Sequence, residues 1–438
     1  MKRQILSLLS FVFLASVFVS LAGADTKPLS GRVSLFGQAA STTYAPGDQR
    51  FFSDLVLTLT LRSTETGKDG YEYGIDVRGA GYPSTPDRTQ RLSIYDAYAG
   101  AKFGQGMFAF RLGQSWLTEL GSLGSLGGGL FEIRPRKSAS LGQFRIGAFF
   151  GYEPKILEAG YVPGITKFGG YLALDGENAR RSVLGFVTLR DSGLTERSVL
   201  VFNNYLPIGR TFYLYQAAEY DLLGPAGQGS GELTYFFANA RYSPLSALEL
   251  QGTYHRGHSF DTRTLTEDRL NGLPLDPRSL EGYLFESLGG RATVNITREI
   301  RLFAGFSQDR TNLGDGRSDR LTFGAYATNL FKTGLDLNIS DWRMTSQSGS
   351  SYDSWYGSVG RNFGRGLYLE GFFSSSVSVL RFTESGGYRI DSYPRTRSFG
   401  ISSVLNLFRT ASVLITIERS LGNDFSEYRY LTGVSYRF

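Results

Sequence analysis

The chain has 438 residues, with 55 Gly, 26 Tyr, 33 Phe, 13 Pro and no Cys. Without Cys there is no disulfide scaffold, thiolate zinc site, iron–sulfur centre or covalent haem; the aromatic content excludes a disordered chain and the Pro count a collagen-like one. The formal net charge of +6 is small for this length, so neither a nucleic-acid partner nor strong steering of anions is expected.

Met1 to Ala24 reads as an export leader. Lys2 and Arg3 start it, an apolar run from Ile5 to Leu21 follows, and Ala22-Gly23-Ala24 supplies a small-x-small cleavage site. The mature chain is expected to start at Asp25 and to form one domain to Phe438. After Asp25 no run of about 18 apolar residues occurs, so no helical membrane span is expected.

What recurs instead is alternation with period 2, the mark of strands with two unlike faces. Leu55, Leu57, Leu59 and Leu61 occupy every second position. Tyr71, Tyr73, Ile75 and Val77 alternate with Glu72, Gly74, Asp76 and Arg78. The same rhythm runs through Phe144–Phe150, Leu248–His255, Ile300–Ser307 and Leu335–Ser340. Short connections, among them Gly104-Gln105-Gly106, Thr297-Arg298-Glu299, Gly364-Arg365-Gly366 and Phe408-Arg409-Thr410, take turns with longer polar ones. The longer ones are Ser41–Arg50, Tyr82–Arg91, Glu153–Thr166, Asp221–Ser230, Ser259–Glu286, Asp309–Arg320 and Thr383–Arg395.

This rhythm predicts an all-β fold: a transmembrane antiparallel up-and-down barrel of about 22 strands, within a range of roughly 16–24, running from near Arg32 to Phe438. Leu130–Arg136, interrupted by Pro135, and Lys167–Leu174 are its weakest strands. A spanning sheet must close, because hydrocarbon offers no partner to a free edge. Apolar side chains are expected outside and polar ones inside, with Phe51, Phe52, Tyr71, Phe103, Tyr152, Phe372 and Tyr430 in aromatic girdles. About 22 strands near 4.8 Å apart at about 40° tilt give a backbone radius of roughly 22 Å, too wide for side chains alone to fill. With only about seven residues between the expected cleavage site and the first strand, no plug domain is expected. The Gly-rich Gln114–Gly129 and the charged Ser259–Glu286, with Asp261, Arg263, Glu267, Asp268, Arg269, Asp276 and Arg278, are the candidates to fold inward as filler and lid.

The end of the chain carries a resemblance. Tyr428, Tyr430, Thr432, Val434, Tyr436 and Phe438 share one face, and the chain stops on Phe438. This resembles the closing strand of bacterial outer-membrane barrels, which implies that the barrel assembly machinery reads Tyr430, Val434, Tyr436 and Phe438. Tyr95–Gly104 followed by Phe108–Gln114 looks like the strand, tight turn and strand of porins. The stretch that follows, Leu117–Leu130, lacks the acidic cluster of a general-porin constriction loop.

By alternation Glu72, Asp76, Arg78, Asp96, Lys102, Arg111, Arg145, Glu249, Arg291, Arg301, Asp336 and Glu370 face the lumen, as do Glu418, Arg429 and Arg437. Rings of one sign set channel selectivity, and none is visible here, so weak selectivity is expected. Asp96, Lys102 and Arg111 are the first candidates for the pore lining. Positions i and i+3 on a strand face opposite ways, so His255 and His258 are not expected to share a metal. No P-loop, dinucleotide fingerprint or His-Glu-x-x-His helix is present.

The porin resemblance implies passive diffusion of small hydrophilic solutes through the outer membrane of a Gram-negative-type bacterium. It implies lipid as surroundings, no enzymatic role and no cofactor. Two other readings stay open: a scaffold or export conduit holding a lipoprotein, polysaccharide or protein, and an outer-membrane hydrolase that needs His255. A homo-oligomer is compatible with the first.

Overall fold

A computed structural model describes residues 29–45, 47–63, 69–85, 90–135, 142–155, 157–223, 231–275, 277–312, 316–364, 366–383 and 389–438. The leader read at Met1–Ala24 lies outside them.

The alternating segments become strands in chain order. They are β1 Leu29–Tyr44, β2 Gln49–Ser63, β3 Gly70–Gly81, β4 Arg91–Phe103, β5 Phe108–Trp116, β6 Ser125–Ile133, β7 Gln143–Pro154 and β8 Tyr161–Asp175. Then come β9 Arg181–Asp191, β10 Leu194–Ile208, β11 Phe212–Asp221, β12 Glu232–Leu245, β13 Leu248–Ser259, β14 Tyr283–Asn295, β15 Ile300–Thr311 and β16 Arg317–Leu330. The last are β17 Leu335–Ser346, β18 Ser351–Phe363, β19 Leu367–Thr383, β20 Arg389–Ser392, β21 Arg395–Asn406, β22 Ala411–Gly422 and β23 Phe425–Arg437. All belong to one 23-stranded sheet. The short β20 pairs only with the far end of β19, so 22 strands form the wall.

Each wall strand pairs antiparallel with its sequence neighbours, and β1 pairs with β23 to close the ring. Closure leaves no free edge, as a nonpolar surrounding requires. At the seam the amide of Gly31 donates to the Phe438 carbonyl at 2.9 Å, and the amide of Phe438 donates back to Gly31 at 3.1 Å. Gly31 lies under the Phe438 ring and the Leu61 side chain, where a Cβ would collide with both.

The start of β1, the end of β23 and the short turns share one rim, as expected. The opposite rim carries longer connections, including two helices, α1 (Thr262–Leu270) and α2 (Pro277–Glu281). Asp261 caps α1 by accepting the amide of Thr264 at 3.1 Å, which satisfies one of the donors a helix start leaves free. Several connections expected to be long are shorter, because the strands extend further. The stretch read as Glu153–Thr166 shrinks to the residues between Pro154 and Tyr161. Both weak strands are present: β6 stops at Ile133 ahead of Pro135, and β8 runs unbroken past Pro163.

Three expectations need correction. Gln114–Gly129 is not one loop, for β5 continues to Trp116 and β6 begins at Ser125. Only the residues between them leave the wall, with a 3₁₀ segment at Thr118–Leu123. The inner face is not polar throughout, as described below. Phe52 and Phe372 are not girdle residues, since the register places them with the inward-facing Thr58 and Glu370. Ser259–Glu286, the stretch read as a lid, carries both helices. Its α1 reaches β10, and Leu265 is fully buried there.

Candidate functional site: a half-filled lumen

Large apolar side chains stand outward along the whole wall: Leu172, Leu184, Leu200, Leu288, Ile339 and Ile401 are all exposed, as are Tyr71, Phe103, Tyr152, Tyr430, Val434 and Tyr436. A water-soluble protein buries such residues, and hydrocarbon makes their exposure favourable. The opposite face carries the charge. The chain is a closed barrel built to face hydrocarbon.

Its lumen is filled on one side. Leu117, Leu120 and Leu126 pack with Leu130, Phe149, Ile165, Tyr171, Val183, Val187, Val199 and Val201 in one buried apolar cluster. These wall residues lie on the inward face of β6–β10. The 3₁₀ segment lies across them, touching β8, β9 and β10. Gly185 makes room, since a Cβ there would come 2.6 Å from Leu120 Cδ2. Fully burying an aliphatic side chain is worth about 1.5–3 kcal/mol, so Leu117 and Leu120 hold this segment firmly against the wall. The sequence did carry a sign of it. Val183–Val187 and Val199–Phe202 are apolar on both faces, as strands covered on both sides are.

Charge fixes the same segment. Glu119 accepts from Arg145 Nη1 at 2.9 Å and from Arg181 Nη2 at 2.5 Å, and its backbone carbonyl accepts from Asn203 at 2.9 Å. Arg145 Nε also donates to Asp175 at 2.6 Å. Tyr171 Oη donates to Glu132 Oε2 at 2.6 Å, and Arg134 closes on the same carboxylate.

The twelve residues assigned to the lumen all lie on the inward face of the register. Glu72, Lys102 and Arg111 come together, with Arg111 paired to Glu72 and stacked over Tyr98 at 5.1 Å. Asp96 is 3.2 Å from Arg62 and accepts the Trp116 amide at 2.9 Å. Asp76 and Arg78 stand beside them on β3. Glu72 with Lys102 and Arg111, and Asp96 with Arg62, neutralise one another in the wall, and Arg145 belongs to the Glu119 network. Glu249 pairs with Arg241. Asp336 accepts the backbone amide of Asn329 at 2.9 Å, and Glu370 accepts from Tyr356 at 3.0 Å. Arg291 and Arg301, like Arg78, stand outside these pairs. Among the described residues neither has a carboxylate within ion-pair distance; Arg291 sits 4.1 Å over the Phe303 ring, and Arg301 bonds Tyr326 Oη at 3.0 Å. With Arg241 they line a recess of about 450 Å³ at the short-turn rim.

A second recess, of about 250 Å³, lies near the long-loop rim and was not foreseen. Two β-bulges build it. In β10 the pairing with β9 skips Glu196, and in β12 the pairing with β11 skips Thr234. A bulge re-aims side chains that strict alternation would send apart. Thus consecutive residues, Glu196 with Arg197 and Thr234 with Tyr235, all line the same cavity. Arg197 is bound by Asp221 through two bonds of 2.7 and 2.8 Å and lies 3.3 Å from Glu219, which Ser122 also bonds. Across the cavity His258 Nδ1 is 2.7 Å from Glu232, and its Nε2 is 2.8 Å from the Glu281 carbonyl. His255 stays apart from it, ringed by Tyr235, Phe237 and Phe285.

No protein-family model matches the chain, and no curated protein matches it. Among solved structures it is similar to Pseudomonas aeruginosa OpdQ at 12% identity, with 94% of this chain and 100% of that chain covered and a TM-score of 0.44. For Pseudomonas aeruginosa OccK3 (OpdO) the identity is 12%, the coverage 94% and 96%, and the TM-score 0.43. For Acinetobacter baumannii OccAB4 they are 9%, 95% and 99%, and 0.42.

Proposed function

We propose that this chain is an outer-membrane channel through which small hydrophilic solutes diffuse passively, in a Gram-negative-type bacterium, after removal of the leader Met1–Ala24. The carrying observation is the uneven lumen. Apolar packing and the 3₁₀ segment fill the side bounded by β6–β10, while the side bounded by β13–β19 carries half-exposed polar and charged side chains. A wall lined this way beside a fixed filler leaves a wet passage narrower than the empty cylinder. Along it stand an acidic recess near one rim and a basic one near the other. Lipid surrounds the wall, and the terminal Tyr430, Val434, Tyr436 and Phe438 serve recognition by the assembly machinery. No enzymatic role is assigned.

The test is planar-bilayer recording of the purified, refolded chain. A stable open conductance that scales with salt supports the channel. A silent barrel that purifies with a lipoprotein, or that passes a polymer only with a partner, would replace this reading with the scaffold or conduit.

A further inference from the structure

The recess between the two bulges contains one carboxylate that the protein leaves half satisfied. Its acidic lining is Glu196, Glu219, Asp221 and Glu232. Arg197 takes up Glu219 and Asp221, and His258 and Arg256 take up Glu232. Glu196 has no cation within 4.0 Å among the described residues. Its Oε1 accepts from Thr262 at 3.0 Å, and its Oε2 has no hydrogen-bond partner although the residue is only 5% exposed. A buried carboxylate oxygen without a donor is costly, and Glu196 lines a cavity through which a donor can arrive.

We propose that this recess binds the cationic end of a small organic solute, a guanidinium or primary ammonium group that donates to Glu196 Oε2. Four features fit that class. The carboxylates outnumber the cations in the lining. Tyr235 and Phe260 line the same cavity, and aromatic rings attract cations. The volume of about 250 Å³ suits one head group on a short stem. Thr262, at the start of α1, orients the carboxylate through its other oxygen, so the acceptor is held before the solute arrives. Arg263, one residue on, is the resident rival. Its Nε is buried without a partner, and it forms no ion pair among the described residues. A cation that reaches Glu196 competes with Arg263 swinging towards it. The inference deepens the channel reading, because the lumen is the solute's route. The binding itself does not require conduction.

The experiment titrates butylguanidinium chloride into the full refolded barrel in detergent by calorimetry, with butylammonium, the neutral isostere butylurea and butyrate alongside. In parallel, bilayer recordings follow block of the KCl current by the same compounds. Saturable binding of butylguanidinium or butylammonium, none of butylurea or butyrate, and at least tenfold weaker binding to Glu196→Gln support the site. The relative strength of the two cations says which head group it prefers. Arg263→Gln is expected to bind more tightly, since it removes the rival. Equal binding of butylurea, unchanged affinity in Glu196→Gln, loss of binding in Arg263→Gln, or no saturable binding to the wild type would each overturn the proposal. If heat-modifiability shows that Glu196→Gln does not fold, Glu196→Asp takes its place. It withdraws the carboxylate by one methylene, and unchanged affinity there counts equally against the site. Binding without any conductance would sink the channel reading and leave the site standing; conductance without binding does the reverse.

Discussion

Lys167 Nζ lies 2.7 Å from Glu153 Oε2 and 2.8 Å from the Ser125 carbonyl, with the lysine side chain 1% exposed. The Ser125 hydroxyl completes the arrangement by donating to the other Glu153 oxygen at 3.0 Å. The group joins β6, β7 and β8 on the inner face where the 3₁₀ segment meets the wall. Breaking a buried pair by removing one partner costs about 3–5 kcal/mol, whereas replacing both with apolar groups is often neutral. Lys167→Met is therefore expected to lower unfolding stability by about that amount, and Lys167→Met with Glu153→Leu to recover most of it. Urea unfolding of the refolded barrel in micelles measures both; a harmless single variant contradicts the account.

Leu120 anchors the filler. Leu120→Ala removes a fully buried side chain, a change that costs about 2–5 kcal/mol, and frees the segment from β9. The expected result is a larger and noisier single-channel conductance with a lower unfolding temperature. A conductance identical to wild type would mean that the segment does not narrow the passage.

Glu119 takes two guanidinium groups at once. Glu119→Gln keeps the shape and removes the charge, leaving Arg145 with Asp175 and Glu132 and leaving Arg181 with Asp175 alone. Loosening should appear as more frequent gating at unchanged mean conductance, with faster exchange of backbone amides over residues 117–124. Unaltered exchange there would show that apolar packing alone holds the segment.

Arg291 and Arg301 are held by ring faces and a tyrosine hydroxyl, so their charge is not cancelled by a neighbouring carboxylate. Arg291→Gln with Arg301→Gln is expected to shift the reversal potential in a KCl gradient towards cation selectivity. Exposed charges are screened by salt, so the shift should shrink at high ionic strength. No shift at low salt would place both arginines outside the ion path.

At the seam, Gly31→Val inserts a side chain where the Phe438 ring and Leu61 already lie. Fewer molecules should reach the heat-modifiable folded form, and Phe438→Ala should relieve part of the defect in refolding without the assembly machinery. Full folding of Gly31→Val would deny that this contact governs closure.

Alternation alone made much of the architecture legible. A strand that meets lipid on one side and water on the other must alternate, so the Leu55–Leu61 run and the terminal Tyr428–Phe438 series announce the wall, its outer face and its two ends. Turn length then indicates which rim is which. The charged inner set, from Glu72 to Glu370, follows from the same parity. The two misplaced girdle aromatics obey the rule that their aromatic character overrode. Phe52 is in step with Thr58 and Phe372 with Glu370, so parity sends Phe51 and Phe373 to the lipid and their neighbours inward.

What only the tertiary structure decided rests on contacts between strands distant in sequence and on slips of one residue. The Leu120 anchor needs Gly185 and Val201 opposite it, and no local pattern around Leu117–Leu123 names those partners. The recess near Glu196 exists because two separate strands each carry one unpaired residue, which reverses the parity that sequence reasoning depends on. A period of two survives any change of loop and so can be read from the chain. A bulge changes it at a single point, and becomes visible only when the register of the neighbouring strand is known.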